Sequence, residues 1–254
     1  MSLREEVGVA AELLERVLAL AGTDMVLVGG QALAFWAAYY GAPSPPIATT
    51  KDVDLLGTRA DVERLARGLQ GKAAFPRSGL TLLVGQVTKD LPDGGYINID
   101  VLSNVYGDVT RDGVKGRAVA VTVGAGALRV MHPLDVLQGR LENVHGISEK
   151  QDEHGLAQLR LAVEVARVFL RDIGTRETSA SGNPRRPVAL RHIGRIETMA
   201  LSDAGRKVAR RHAIHVADAI DPAPVMHIKP FASTKLPQLL KLMSQERRRD
   251  LEGQ

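Results

Sequence analysis

Residues 25–40 read MVLVGGQALAFWAAYY. The apolar run Met25–Val28 predicts a short buried strand, and Gln31–Tyr40, rich in Ala and aromatic residues, predicts a helix. Gly29 and Gly30 lie between these two elements. Glycine leaves space beside the backbone, and the first N–H groups of a helix bind anions, so the unit is suited to receive a phosphate. A pair of glycines after a strand is also common as a simple tight turn, so this interpretation needs support from other residues.

A pair of carboxylates follows about twenty residues later, in TTKDVDLL at residues 49–56. Val53–Leu56 is predicted to be a strand, and residues two apart on a strand project from one face, so Asp52 and Asp54 share a face. Two neighbouring carboxylates repel each other unless a cation lies between them. Magnesium accepts such oxygen ligands and shares its other positions with phosphates and water. The alternative is that one Asp caps a turn and the other is solvated.

A third carboxylate, Asp100, lies within the predicted strand Tyr96–Leu102. Alternation places Ile97, Ile99 and Val101 on one face of this strand and Asp100 on the other. A carboxylate in an otherwise apolar strand is costly to bury without a partner. If this strand lies beside Val53–Leu56, the three aspartates meet on one face of the sheet, as a two-metal phosphoryl-transfer site requires.

The remaining pattern predicts an α/β protein of the α+β type, a mixed β-sheet flanked by helices and followed by a mainly helical C-terminal region. Leu3–Leu20 and Ala60–Leu69 have helical spacing, and Pro133 begins a run of helices. The further predicted elements are strands at Leu80–Val87, Ala118–Val123 and Leu128–Met131, and helices at Pro133–Val144, Glu153–Asp172, within Val188–Ala219 and at Lys235–Leu251. Ser, Thr, Gly and Pro predict a linker at Thr175–Pro187.

The order and spacing of Gly29-Gly30, Asp52-x-Asp54 and Asp100 resemble the nucleotidyltransferase (polymerase-beta-like) superfamily. The resemblance covers about residues 5–145. The local text VLVGGQALAFWAAYYG…TTKDVDLLG is most similar to the AbiEii-type nucleotidyltransferase toxins and their relatives. The resemblance implies a nucleotidyltransferase fold with a catalytic domain at 1–131, a helical extension packed on it at 132–174, and a basic, mainly helical region at 175–254.

The resemblance also implies roles for individual residues. Asp52 and Asp54 correspond to metal ligands, and Asp100 corresponds to the third carboxylate, which helps to activate an acceptor hydroxyl. The cofactor implied is Mg²⁺, and the substrate is an NTP. The predicted nucleotide-binding residues are Gly29, Gly30, Gln31, Lys51 and Arg140.

The chain departs from the AbiEii-type pattern at three places. Ala48 stands where an Arg is usual, and Arg140 stands where a Lys is usual. Residues 150–155 keep only part of a Lys-Asp-x-x-Asp-like stretch. Arg can still neutralise a phosphate. The departures leave the three carboxylates intact, and they place the triphosphate contacts and the acceptor in question.

Charge is distributed unevenly along the chain. Residues 1–150 hold 15 Lys and Arg against 17 Asp and Glu, whereas residues 151–254 hold 18 against 12. A basic C-terminal half can attract RNA through its phosphates, although the same excess also suits a simple solvated surface. With the resemblance, this charge favours an RNA acceptor, such as tRNA, in a toxin–antitoxin or phage-defence setting with a cognate antitoxin protein.

Composition limits the other possibilities. The absence of Cys excludes disulfides, thiolate zinc sites and cysteine nucleophiles. No apolar run reaches the roughly 18–20 residues that a membrane span needs, and we expect a cytoplasmic protein with no membrane partner. Two alternatives remain: a small-molecule acceptor, as in antibiotic-modifying nucleotidyltransferases, or a catalytically silent protein of this fold that binds nucleic acid or a partner.

Overall fold

The computed structural model describes residues 11–48, 50–77, 81–107, 110–123, 126–179, 187–226, 228–229 and 231–241. The chain divides into two compact units. Unit 1 contains the chain up to Phe35 together with Ser44–Gly139, and unit 2 contains Trp36–Pro43 together with the chain from Arg140 onward. The contacts therefore place residues 132–139 in unit 1, whereas the predicted catalytic domain ends at residue 131. The functions predicted for the domains stay predictions.

Unit 1 contains a mixed sheet, and within the described ranges it has seven strands in the order β3-β4-β5-β2-β1-β7-β6. The β2–β5 and β1–β7 pairs are parallel, and the other neighbouring pairs are antiparallel. The predicted mixed sheet is confirmed. The strands are β1 (Val26–Val28), β2 (Val53–Leu56), β3 (Lys72–Ala74), β4 (Leu83–Asp90), β5 (Tyr96–Leu102), β6 (Val119–Val123) and β7 (Gly126–Val130).

Helices accompany the sheet, and every described element after β7 is helical, as predicted. The α-helices are α1 (Ala11–Ala21), α2 (Gly29–Tyr40), α3 (Arg59–Leu69), α4 (Arg111–Arg117), α5 (Pro133–Gly146), α6 (Glu153–Ser179), α7 (Val188–Leu201) and α8 (Asp203–His212). Shorter 3-10 turns lie at Pro46–Ala48, Ser148–Lys150, Val216–Ala219 and Ala223–Val225, a π-turn lies at Phe231–Lys235, and residues 236–241 are helical. Among the described helices, none is both long and apolar enough to cross a membrane.

Local sequence explains why α3 forms where it does. The Asp61 carboxylate accepts hydrogen bonds from the backbone N–H and the hydroxyl of Thr58, at 2.7 and 2.8 Å, which caps the first turn. Val62, Leu65 and Leu69 follow at helical spacing and are fully buried. The helix packs against β4, and it ends where Gln70 adopts a left-handed conformation, with φ of 56°.

The alternation predicted for β5 is also observed. Ile97, Ile99 and Val101 are fully buried, whereas Asp100 on the opposite face is half-buried. Leu55 of β2 and Val87 of β4 bury their side chains completely on either side of β5. The centre of the sheet therefore has one apolar face in the core and one face that carries polar side chains.

Several predicted bounds need correction. The strand predicted at Leu80–Val87 runs from Leu83 to Asp90, and the strand predicted at Leu128–Met131 runs from Gly126 to Val130. α1 is described from Ala11, so residues 3–10 of the predicted first helix lie outside the described residues, as do residues 242–251 of the last one. The sequence did not predict β3 or α4.

The linker predicted at Thr175–Pro187 begins too early. α6 continues to Ser179, and polar side chains in this stretch make contacts one turn back along the helix. The Thr175 hydroxyl donates to the Arg171 carbonyl at 2.9 Å, and Arg176 pairs with Asp172 one turn earlier. Residues 180–186 of the predicted linker lie outside the described residues.

Candidate active site

The strand register brings the polar residues of three strands into one row. Asp54 on β2 is directly paired with Asp100 on β5, and Asp100 is directly paired with Gln86 on β4. Val28, the residue before Gly29, is paired with Asp54 on the other side. Neighbouring strands lie only about 4.8 Å apart, so the sheet itself holds these groups side by side. The predicted adjacency of the β2 and β5 carboxylates is observed for Asp54 and Asp100.

The pKa of Asp100 departs from that of an ordinary aspartate. Burial raises its pKa, because a charged carboxylate loses hydration. The Gln86 side-chain amide donates to Asp100 Oδ1 at 2.8 Å and acts in the opposite direction, lowering the pKa. The negative charge of Asp52 raises it again, and the net direction is upward. Asp100 is therefore a stronger base than an ordinary aspartate.

Asp52 lies immediately before β2 and is exposed, whereas Asp54 within the strand is half-buried. The effect of Asp52 on the pKa of Asp100 indicates that the two charges sense each other. The first carboxylate of the DxD pair therefore faces solvent near the row, and the second is part of it.

Gly29 places the start of α2 directly against Asp54. Its φ is +65°, a left-handed conformation that residues with a Cβ rarely adopt. A Cβ at this position would lie 2.0 Å from Asp54 Oδ2 and 2.8 Å from its Cγ. Two features therefore require glycine at this position: the left-handed backbone conformation and the close approach of the Asp54 carboxylate. The Gly-Gly stretch and the DxD motif, separate in sequence, form one local structure.

The next two residues attach the same helix to the chain just before β2. A Cβ on Gly30 would lie 2.7 Å from the Thr50 Cβ, so the second glycine also permits a close approach. The Gln31 side-chain amide donates to the Thr50 carbonyl at 3.3 Å. α2 begins at Gly29 itself, two residues before the predicted start. The glycines therefore contribute their own N–H groups to the first turn of the helix, where such groups have no partner within the helix.

The other two predicted nucleotide-binding residues differ in setting. Lys51 is exposed and adjoins Asp52 in the chain. Arg140 belongs to unit 2, where its guanidinium donates to the buried Gln158 side chain at 2.7 Å. This hydrogen bond gives Arg140 a structural role within unit 2, and its predicted contact with a nucleotide stays a prediction.

The donor atoms of the row suit a hard cation. Over the described parts of the chain, no three His, Asp or Glu side chains are grouped so as to hold a metal ion together. Magnesium, however, is usually bound by only one or two carboxylates, with substrate phosphates and water as its other ligands. Asp54 and Asp100, paired in register and half-buried, provide two such carboxylates. The residues present therefore fit a magnesium ion that arrives with a nucleotide.

Sequence reasoning did not identify Gln86. Its side chain holds one oxygen of Asp100, and its backbone is the direct partner of Asp100 across β4 and β5. A glutamine on a strand carries no distinctive pattern, and only the register of two antiparallel strands reveals its partner.

Comparison with known proteins adds no family assignment. No model of a known protein family matches the chain, and no curated protein matches its sequence.

Proposed function

We propose that this protein is a magnesium-dependent nucleotidyltransferase, which transfers a nucleoside monophosphate from an NTP to an acceptor hydroxyl. The bond between the acceptor oxygen and the α-phosphorus forms, the bond from that phosphorus to the bridging oxygen breaks, and pyrophosphate leaves. The observation that carries the proposal is the contact of Gly29 with Asp54 in a row that continues to Asp100. This arrangement combines a phosphate-binding helix start with paired carboxylates.

The glycines bind the donor. The N–H groups that begin α2 at Gly29 and Gly30 have no partner within the helix, and the helix dipole adds partial positive charge at this end. Both features favour the phosphates of an NTP. Gln31 follows these glycines and donates to the Thr50 carbonyl, and the exposed Lys51 is the next residue after Thr50.

Asp100 accepts the proton of the acceptor hydroxyl. Gln86 occupies Oδ1, which leaves Oδ2 to take the proton. The raised pKa of Asp100 makes it a better base for this step, since a general base is most effective when its pKa approaches the working pH. Asp54 and its register partner Asp100, with Asp52 close by, would hold the magnesium ion, which would neutralise charge on the phosphates.

The direct test is transfer of label from an α-labelled NTP to RNA. Asp54→Ala should abolish transfer while circular dichroism shows an unchanged fold. Asp112→Ala removes a carboxylate from an exposed position on α4 and should leave transfer unchanged. Transfer by Asp54→Ala at the wild-type rate would refute the mechanism.

Magnesium binding provides a separate readout. A ligand that binds only the folded state stabilises it, by about 2.7 kcal/mol at 100 times its Kd. Magnesium with a non-hydrolysable NTP should therefore raise the Tm of the wild type and have a much smaller effect on Asp54→Ala. Equal increases in both proteins would place the metal elsewhere.

A further inference from the structure

Unit 2 carries a row of cations on one face of α8. Arg206, Lys207, Arg210 and Arg211 are all exposed, whereas Val208 and Ala209 between them are buried. We call these four residues the α8 cation row. Arg206 and Arg210, and likewise Lys207 and Arg211, are four residues apart and lie next to each other on the helix surface. Like charges in this spacing repel each other, so the row concentrates positive charge on one face of α8.

A cavity adjoins the row. It has a volume of about 200 Å³ and is lined by Val144, His145, Lys207, Val208, Arg211 and His212. Pockets for drug-sized ligands are usually about 300–1,000 Å³, so this cavity suits a single small group such as a phosphate. Its polar lining consists of cations and imidazoles, which can all donate hydrogen bonds.

The side chains around the cavity are held in place from several elements. Lys207 Nζ lies 2.8 Å from Asp203 Oδ2, and His145 Nε2 on α5 lies 3.6 Å from the same oxygen. Arg211 donates to the Gln151 side chain at 3.2 Å. Asp203 therefore compensates part of the positive charge at one end. Lys207 and Arg211 still carry two positive charges at the cavity against the single negative charge of Asp203.

Two further contributions to the environment of the cavity come from the surroundings of His212, which lines it. Its pKa is lowered, first by burial and then by the charges of Arg211 and Arg160. Arg160, which is exposed on α6, therefore adds a further cation close to the cavity. An anion bound here would relieve the mutual repulsion of these groups.

We propose that the α8 cation row and its cavity form a binding surface for the phosphodiester backbone of a nucleic acid. The cations form two pairs whose members lie about 6 Å apart along the axis of α8, and a polymer with a charge on every unit can meet several of them at once. An acidic peptide would need a run of suitably spaced carboxylates, and a free phosphate would use only the cavity. Binding is independent of the proposed transfer reaction; its use to hold an acceptor rests on that reaction.

The test is fluorescence anisotropy with labelled oligouridylate and oligodeoxyuridylate of equal length, titrated with the full chain over a range of salt concentrations. Each phosphate contact contributes about 0.7 to the slope of log K against log salt for single strands. Lys207→Ala/Arg211→Ala should therefore lower the slope by about 1.4, and Arg206→Ala/Arg210→Ala should lower it as well. Lys229→Ala/Lys235→Ala removes the same charge from exposed positions outside the α8 cation row and should change it little.

The outcomes separate this proposal from its rivals. A smaller salt slope in the α8 variants, with the control unchanged, supports the proposal. The strand that binds more tightly identifies the preferred sugar. The proposal is overturned if neither strand binds at low salt. It is also overturned if the Lys229/Lys235 control lowers the salt slope as much as the α8 variants do. An acidic peptide of equal charge that binds as tightly would assign the surface to a protein partner. Asp54→Ala should bind like the wild type, so failure of catalysis and failure of this surface remain distinguishable.

Discussion

Replacement of Gly29 by Ala tests whether the glycine is held against Asp54 as the structure indicates. The new Cβ would lie 2.0 Å from Asp54 Oδ2. Non-bonded heavy atoms normally lie about 3.5–4.0 Å apart, so the carboxylate must move by roughly 1.5 Å. Overpacking of this kind costs about 1–3 kcal/mol. The left-handed φ adds about 1–2 kcal/mol for a residue with a Cβ.

Gly22→Ala is the matched control for this substitution. Gly22 also has a left-handed φ, of +57°, but among the described residues no atom beyond its own chain neighbours lies within 4 Å of the position of its Cβ. The free energy of unfolding of Gly22→Ala should therefore fall only by the conformational contribution, about 1–2 kcal/mol. That of Gly29→Ala should fall by about 2–5 kcal/mol. Urea denaturation of the two variants and the wild type, followed by circular dichroism, measures the difference. Label transfer should also fall in Gly29→Ala and persist in Gly22→Ala.

Equal losses of stability in the two variants would refute this reasoning, because the contact with Asp54 would then contribute nothing. A double variant makes the test stricter. Asp54→Ala removes the Oδ2 and Cγ atoms and leaves only the Cβ, at 2.9 Å from the new methyl group. Gly29→Ala/Asp54→Ala should therefore lose less stability than the sum of the single variants, by about 1 kcal/mol. Strict additivity would contradict a direct contact.

Three further predictions concern other residues. Gln86→Leu removes the hydrogen bond that lowers the pKa of Asp100, so the acid limb of the transfer-rate profile should move to higher pH; an unchanged profile would exclude this role. Asp61→Ala removes the cap on Thr58 and should lower the free energy of unfolding by about 1 kcal/mol in urea. His192 has its pKa lowered to about 4, chiefly by burial, against 6.5 when unfolded. Protons therefore favour the unfolded state, and stability present above pH 6.5 should decline towards pH 4, a decline that His192→Gln should reduce.

The central strands could be predicted because their pattern is strong. β2 and β5 have the predicted bounds, Val53–Leu56 and Tyr96–Leu102. In β5 an apolar residue alternates with a more polar one from Tyr96 to Val101, and this is the period of a half-buried strand. These strands can be predicted because one face is buried, which requires apolar residues at alternate positions. This requirement is strongest for strands in the middle of a sheet.

Two elements gave no such signal. β3, Lys72–Ala74, is exposed along its whole length, so its side chains have no apolar alternation. Its pairing with β4 depends on backbone hydrogen bonds, which any residue except Pro can make. α4, Arg111–Arg117, contains Gly113 and Gly116, which disfavour a helix. It begins because the Thr110 hydroxyl accepts a hydrogen bond from the Gly113 N–H, and Val114 is buried.

The candidate site was predictable as a set of residues but not as an arrangement. The order of glycines and aspartates predicts the candidate residues, and the adjacency of Asp54 and Asp100 follows from the sequence only if their strands pair. Register decides that condition, and a shift of one residue would turn Asp100 to the other face. The contact of Gly29 with Asp54 and the hydrogen bond from Gln86 depend on the same register.

The charge balance around Asp100 is an argument for a catalytic role over a purely structural one. Burial and Asp52 both disfavour its charged form, and Gln86 supplies a single neutral donor in compensation. Asp54 stands directly opposite on the neighbouring strand, where like charges destabilise a sheet. An apolar or amide side chain at position 100 would avoid these costs. These costs favour the proposed role of Asp100 as a base over the alternative of a catalytically silent protein that binds a partner.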